Sequence, residues 1–223
     1  MLSLNRSKSY KKEQGFTLTE VMVGIVIGGI VLAAVFHLIT IYYKERRRDM
    51  IKNRFREDID LAFEYLDHGY FDPNDKVRRI GLSDSESFEY GASYVDQTDS
   101  IYSGVDHQAG YIRLFDHFGG VWGMWYVGIN QNGKRGLIYC YNSGYRLDST
   151  KTTIDYRFKT VIPSEGTPLY NKLDFQVISP DTGAITSVKT LTVTITLRRD
   201  ADPLVEVSAT KTIAVNINFG SIP

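Results

Sequence analysis

The chain has 223 residues but a single cysteine, Cys140. An internal disulfide framework and any multi-cysteine metal site are thereby excluded. Proline is scarce at six residues, and the first is Pro73, so the chain before it carries no proline kink. Neither sign of charge dominates: 26 basic residues stand against 26 acidic ones. That balance gives no argument for nucleic acid as a partner. Missing too are G-x-S-x-G, H-E-x-x-H and G-x-x-x-x-G-K-[ST], the short signatures of hydrolase, zinc-protease and phosphate-loop chemistry. Asn132-Gly133-Lys134-Arg135 lacks the phosphate-loop spacing and reads as a hairpin tip. With no nucleophile–base pair or ligand spacing in view, the chain is not expected to be an enzyme, and no cofactor is expected.

Aromatic residues are plentiful, 15 Tyr, 11 Phe and 2 Trp, which indicates a packed domain rather than a disordered chain. The N-terminal third is unlike the rest. Residues 1–15 carry Arg6, Lys8, Lys11 and Lys12 against Glu13. No formal charge occurs from Val21 to Tyr43. A helix over that stretch is long enough to cross a hydrocarbon core of about 30 Å, and too long for a secretory signal's apolar region. Glu20 stands at the head of this run, where a lone carboxylate in lipid is costly. It either snorkels at the interface or meets a partner charge.

The stretch Gly15-Phe16-Thr17-Leu18-Thr19-Glu20, a basic leader before it and the apolar run behind it, resembles the class III signal of type IV pilins and the pseudopilins of type II secretion. The resemblance implies cleavage between Gly15 and Phe16 by a membrane aspartyl prepilin peptidase. The same enzyme would then methylate the new amine of Phe16. Glu20 would be the fifth mature residue, setting subunit register against that positive amine. Breaking such a buried pair costs about 3–5 kcal/mol even where the pair itself adds little.

Within the span, Gly24 and Gly28 form a G-x-x-x-G with Gly29 beside it. This is a candidate for close helix packing, although glycine is also commoner in membrane helices at large. His37 is expected neutral and hydrogen-bonded rather than a ligand. Lys44, Arg46, Arg47 and Arg48 read as a collar for lipid headgroups or for acidic residues of neighbouring helices. By the positive-inside rule this distal flank, with Lys52, Arg54 and Arg56, would face the cytoplasm. The pilin resemblance places the leader inside and the head outside, and that orientation is followed here.

Beyond the span, Ile51, Phe55, Ile59, Ala62, Phe63 and Leu66 recur at three- and four-residue spacing, one helical stripe, with Gly69 and Pro73 as stops. Strand patterns then dominate: Ser87–Tyr90, Tyr111–Phe115, Val121–Ile129, Gly136–Tyr141, Tyr145–Leu147, Thr153–Thr160, the alternation Leu173, Phe175, Val177, then Val188–Arg198 and a last run Ile213, Val215, Ile217, Phe219. Alternation against a threonine face predicts antiparallel strands buried on one side, with the helical stripe laid on that side. The expected fold is α+β: a long N-terminal hydrophobic helix with an antiparallel β-sheet head on its C-terminal half. The expected parts are a leader at 1–15, a transmembrane or filament-core helix at 16–43, its amphipathic continuation at 44–66 and a head at 67–223.

Phe55–Leu66 with Gly69-Tyr70-Phe71-Asp72-Pro73, and the paired runs Ser187–Arg198 and Thr210–Asn218, are similar to PilW-type minor pilins and J-type pseudopilins. The resemblance implies a minor pilin of the priming or tip complex. Its partners would be the prepilin peptidase/methyltransferase, other minor pilins, the major pilin and inner-membrane lipids. The implied location is the inner membrane, single pass, and then the pilus or pseudopilus. The alternatives are a pseudopilin of type II secretion and an uncleaved single-pass adhesin or receptor.

In the head, Val121–Tyr126 is the densest aromatic segment. Alternation places Trp122, Met124 and Tyr126 on one face and Trp125 on the other, one set in the core and the other a candidate contact surface. Asp67-His68, Asp106-His107 and Asp116-His117 would make an oxygen–nitrogen metal site only if the fold converged them. Solvated turns are the simpler expectation. Asp72-Pro73-Asn74-Asp75 lacks the full calcium-loop pattern.

Overall fold

A computed structural model of the chain describes residues 15–69, 71–72, 77–78, 81–82, 87–91, 109–115, 121–129, 135–142, 156–166, 168–178 and 190–214. The chain divides into two units, one ending at Arg47 and the other beginning at Arg48, and the division falls inside helix α1 (Leu18–His68).

In the first unit, α1 starts at Leu18 after three non-helical residues, Gly15 to Thr17. Every residue from Gly15 to Arg47 is exposed. Leu, Ile, Val and Ala propagate the helix without a proline, but the chain offers this surface no cover: Ile25 is 69% and Ile30 66% exposed. An all-round apolar helix of this kind needs a bilayer or other helices as its solvent. It is the one helix among the described residues long and apolar enough to cross a membrane.

In the second unit the same helix becomes one-sided. Ile51, Phe55, Ile59, Ala62, Phe63 and Leu66 are all buried, as their spacing predicts. The helix ends two residues later than Leu66, at His68. Gly69 follows at φ 80°, and its N–H donates to the Tyr65 carbonyl at 2.9 Å. This left-handed glycine cap satisfies a carbonyl that the helix itself leaves free.

The strands are β1 (Phe71–Asp72), β2 (Val77–Arg78), β3 (Ser87–Gly91), β4 (Tyr111–Phe115), β5 (Val121–Ile129), β6 (Arg135–Asn142), β7 (Tyr156–Ile162), β8 (Lys172–Ile178), β9 (Thr190–Arg198) and β10 (Glu206–Ala214). All their pairings are antiparallel: a small β1-β2 ribbon, a five-stranded sheet β3-β4-β5-β6-β7 and a three-stranded sheet β8-β9-β10. β8 lies against β3 to β6. There Gly110 N–H donates to the Phe175 carbonyl at 2.9 Å. A Cβ on Gly110 would sit 2.6 Å from that oxygen, so only glycine permits the approach.

One core joins the helical stripe to both sheets: Ile112 and Leu114 of β4, Trp125 and Val127 of β5, Leu137 and Tyr139 of β6, and the alternating apolar residues of β8 and β9. The fold is α+β, with the lower half of the long helix packed on antiparallel strands. On β9 the outward residues are the threonines, and Thr192–Thr212, Thr194–Thr210 and Thr196–Ser208 pair their hydroxyls with β10 at 3.1, 2.9 and 2.8 Å.

Some expectations need adjustment. Strands β4, β5 and β6 of the five-stranded sheet are buried on both faces, since Tyr111, Met124, Tyr126, Ile138 and Cys140 form a second buried cluster. The expected strand Gly136–Tyr141 takes β5 and β7 as its neighbours. Tyr139 is flanked by Trp125 and Lys159 and Tyr141 by Gly123 and Arg157; the run Tyr145–Leu147 lies outside the described residues. The last described strand, Glu206–Ala214, begins before the expected run from Ile213 to Phe219, of which only Ile213 and Ala214 are described. Its alternation is masked in the sequence because inward position 211 is a lysine. Lys211 Nζ reaches Asp67 Oδ2 at 2.9 Å at the end of α1.

Candidate functional site

The helix start at Leu18 is built by two side chains. Thr17 N–H and Thr17 Oγ1 both donate to Glu20 Oε2, each at 2.9 Å. In return Glu20 N–H donates to Thr17 Oγ1 at 3.3 Å. The first helical hydrogen bond, from Val21 N–H to the Thr17 carbonyl at 3.2 Å, follows directly. This is a capping box, with Thr17 as the cap and Glu20 three residues on. It satisfies two backbone donors that a helix start otherwise leaves open, which matters most where no water replaces them. It also places the carboxylate at the positive end of the helix dipole. Thr-x-x-Glu before an apolar run is legible as this motif, beyond the readings of Glu20 as a snorkelling carboxylate or as one that meets a partner charge.

Gly15 and Phe16 lie just outside the box, in the non-helical segment, and Phe16 is 86% exposed. A Cβ at Gly15, Gly24, Gly28 or Gly29 would meet nothing within 4 Å. Within the chain, then, none of these glycines is required by a neighbour. Near the far end of the span Thr40 returns its hydroxyl to the Phe36 carbonyl at 2.8 Å, keeping its polarity inside the helix.

The collar divides at the unit boundary. Lys44, Arg46 and Arg47 are exposed. Arg48 belongs to the head: Nε and Nη2 hold both carboxylate oxygens of Asp202, in the β9–β10 turn, at 2.6 and 3.1 Å. Six residues on, Arg54 Nη2 donates to the Glu165 carbonyl at 3.2 Å. Its Nε stands 3.8 Å from Asp58 Oδ1. Asp58 is the one buried charged side chain among the described residues, and sequence reasoning missed it because it falls between stripe positions. Ser164 binds the same oxygen through its N–H at 3.1 Å and its hydroxyl at 2.6 Å. Arg54, Asp58, Glu165 and Leu169 border a cavity of about 350 Å³ floored by Phe55. The network fastens the β7–β8 connection to the helix, and no reactive group points to chemistry there.

Trp125 does not form a contact surface. It is 0% exposed and stacked on Tyr139, with ring centroids 4.7 Å apart and planes 24° apart. The other face of β5 is buried as well, through Met124 and Tyr126. The Trp122 side chain lies outside the described residues. So do Asp106-His107, Asp116-His117 and the side chains of Asp72 to Asp75. Asp67 is occupied by Lys211. Among the described residues no three His, Cys, Asp or Glu side chains gather as a metal site.

The family model of the prokaryotic N-terminal methylation motif matches residues 10–36. This segment is a type IV pilin-like, class III signal. The match spans Gly15 to Glu20 and the apolar run as far as Phe36. A motif of this kind implies processing by a prepilin peptidase and assembly with other pilins. The motif and the apolar helix together fit a single-pass anchor in the inner membrane. No curated protein and no solved structure matches the chain.

Proposed function

We propose that the protein is a minor pilin of a type IV pilus. Prepilin peptidase cuts it between Gly15 and Phe16, leaving residues 1–15 behind and methylating Phe16. In the mature chain the apolar part of α1, up to Tyr43, anchors the subunit in the inner membrane, with the head outside the cytoplasm. It then joins other minor pilins and the major pilin in a priming or tip complex. The observation that carries this reading is the methylation motif over residues 10–36, set on an apolar helix that runs into an α+β head.

The physical sequence is short. Before cleavage the basic leader holds the amino end at the cytoplasmic face. Cleavage creates a cation at Phe16 beside the Glu20 carboxylate. Lateral packing of the exposed apolar helix against other helices replaces lipid contacts. The amine of one subunit and Glu20 of another then fix the register, because an unmatched charge in that core is costly. The head selects neighbours. The PilW-like patterns at Phe55–Leu66 and Ser187–Arg198 support the minor-pilin role, and the leader-in orientation rests on the cleavage motif.

The test is mass spectrometry of the amino terminus of protein recovered from its native host. The expected species begins at N-methylated Phe16. A chain still carrying Met1–Gly15 in every molecule would make it an uncleaved membrane receptor or adhesin instead. Loss of twitching on deletion, with secretion intact, would support the pilus role over a type II secretion pseudopilus.

A further inference from the structure

Asp58, which borders the cavity beside α1, is 2% exposed and uses its two oxygens unequally. Oδ1 accepts the Ser164 N–H and the Ser164 hydroxyl and stands 3.8 Å from Arg54 Nε. Oδ2 accepts no hydrogen bond among the described residues. A buried acceptor with open lone pairs calls for a donor. Arg54 faces the other oxygen and gives its Nη2 to the Glu165 carbonyl at 3.2 Å. The Glu165 carboxylate is 83% exposed, and its Oε2 is as far as 3.9 Å from that nitrogen. The lining therefore sets two carboxylates against one guanidinium, an excess of negative charge. Phe55, Pro163 and Leu169 supply apolar wall beside it, and Leu169 is 45% exposed.

We propose that this cavity receives a lysine side chain from a neighbouring pilin-like subunit, its stem against Phe55, Pro163 and Leu169 and its ammonium at Asp58 Oδ2 and the Glu165 carboxylate. An apolar wall ending in negative charge matches a side chain with an aliphatic stem and a cationic tip. Lysine fits better than arginine. A guanidinium prefers both oxygens of one carboxylate, and Asp58 Oδ1 is already taken, whereas an ammonium is a point charge with three donors that one oxygen from each of two carboxylates can share. The volume, about 350 Å³, lies at the small end of the range of about 300–1,000 Å³ for ligand pockets and suits one long side chain. The inference rests on the function proposed above for the source of the lysine and adds a contact to it.

The test has two arms. In the first, the full chain in detergent carries isotope-labelled leucine methyls, and the Leu169 signal is identified by its loss in Leu169→Ile. The probes are lysine blocked at both backbone ends and norleucine blocked in the same way, which has the stem without the ammonium. The lysine probe should shift the Leu169 signal saturably. The norleucine probe, and the lysine probe on Glu165→Gln, should bind about tenfold more weakly, the loss expected for a hydrogen bond to a charged group. Glu165 is exposed, so its replacement leaves the fold intact, whereas replacing Asp58 would also release Ser164. In the second arm, a photo-crosslinking residue at position 169 is expressed in the native host. Its adduct should be a pilin-like subunit joined near a lysine, and replacing that lysine by methionine should lower the adduct about tenfold.

Equal binding of the two probes, or no saturable shift with either, would overturn the inference. So would adducts with lipid alone, or a subunit adduct indifferent to every nearby lysine. Absence of trimming to Phe16 in the wild-type chain would instead strike the proposed function and leave the probe titration standing, so the two failures are distinguishable.

Discussion

Lys211 and Asp67 meet at 2.9 Å, joining an inward position of the edge strand β10 to the last turn of α1. Inward alternation on β10 runs Val207, Ala209, Lys211, Ile213, so the lysine interrupts an otherwise apolar row. An inward-pointing charge on an edge strand discourages pairing with foreign strands, and its aliphatic stem still covers apolar surface. The two side chains are 39% and 21% exposed, so solvent screens the pair. Asp67→Ala should therefore lower stability by only about 1 kcal/mol. Lys211→Leu should leave stability nearly unchanged while raising aggregation. Thermal unfolding of the full chain in detergent, with light scattering, checks both; a loss above about 3 kcal/mol for Asp67→Ala would mark the pair as effectively buried.

Asp58 should be more sensitive. It is 2% exposed and accepts two hydrogen bonds from Ser164. Asp58→Ala strands the Ser164 N–H beneath the β7–β8 connection and should cost about 2–3 kcal/mol. Ser164→Ala keeps the backbone bond and should cost about 1 kcal/mol. Denaturant titration of the two variants measures the difference, and equal losses would contradict the assignment of the backbone bond.

Tyr170 gives a pH dependence. Its hydroxyl donates to the Arg135 carbonyl at 2.9 Å and lies 3.1 Å from the Ile162 carbonyl. Burial, then the nearby Asp58 charge, push its pKa well above the ordinary tyrosine value of 10.0, with Arg135 opposing. Tyr126 is raised in the same direction by burial and by Cys140. Both groups fold in the protonated form. Their contribution is complete below the unfolded pKa of about 10 and declines as pH rises above it. Unfolding midpoints should be level below pH of about 9.5 and fall beyond about 10. Tyr170→Phe should be less stable at neutral pH by about 1 kcal/mol and show a shallower alkaline decline.

Gly110→Ala tests the close approach of β8 to the segment before β4. The new methyl would meet a backbone oxygen at 2.6 Å, and backbone on both sides leaves little room to yield. A loss of at least about 2 kcal/mol is expected, at the upper end of overpacking penalties. Gly28→Ala, where nothing lies within 4 Å, serves as the control for the head's stability and should not change it.

Glu20→Ala should be trimmed normally and incorporated poorly. It also removes the capping box, so a helix-stability loss of about 1 kcal/mol accompanies the missing charge. Glu20→Gln keeps an acceptor for Thr17 without the charge. If incorporation of Glu20→Gln equals wild type, register is not set by charge at this position.

Much of the helix was legible in the residues because its signals are local. Thr17, Glu20 and Gly69 act within one turn, and the stripe from Ile51 to Leu66 repeats at the helical period. The same holds for β8 and β9, where one face is apolar and the other hydroxylic. The processing motif at Gly15 to Glu20 is a contiguous word in the chain, which is why it could be read without a fold.

What the amino-acid order left open depended on partners distant in the chain. Trp125 and Tyr126 point to opposite faces of β5, and only the packing of the sheets decided that both faces are buried. Asp58 reads as an ordinary helix-surface acid until Ser164, 106 positions later, is brought beside it. Arg48 reads as one more basic residue of the collar until the β9–β10 turn presents Asp202. A charge or a polar atom is costly or stabilising according to what faces it after folding, and that is set by tertiary contact rather than by its neighbours in sequence.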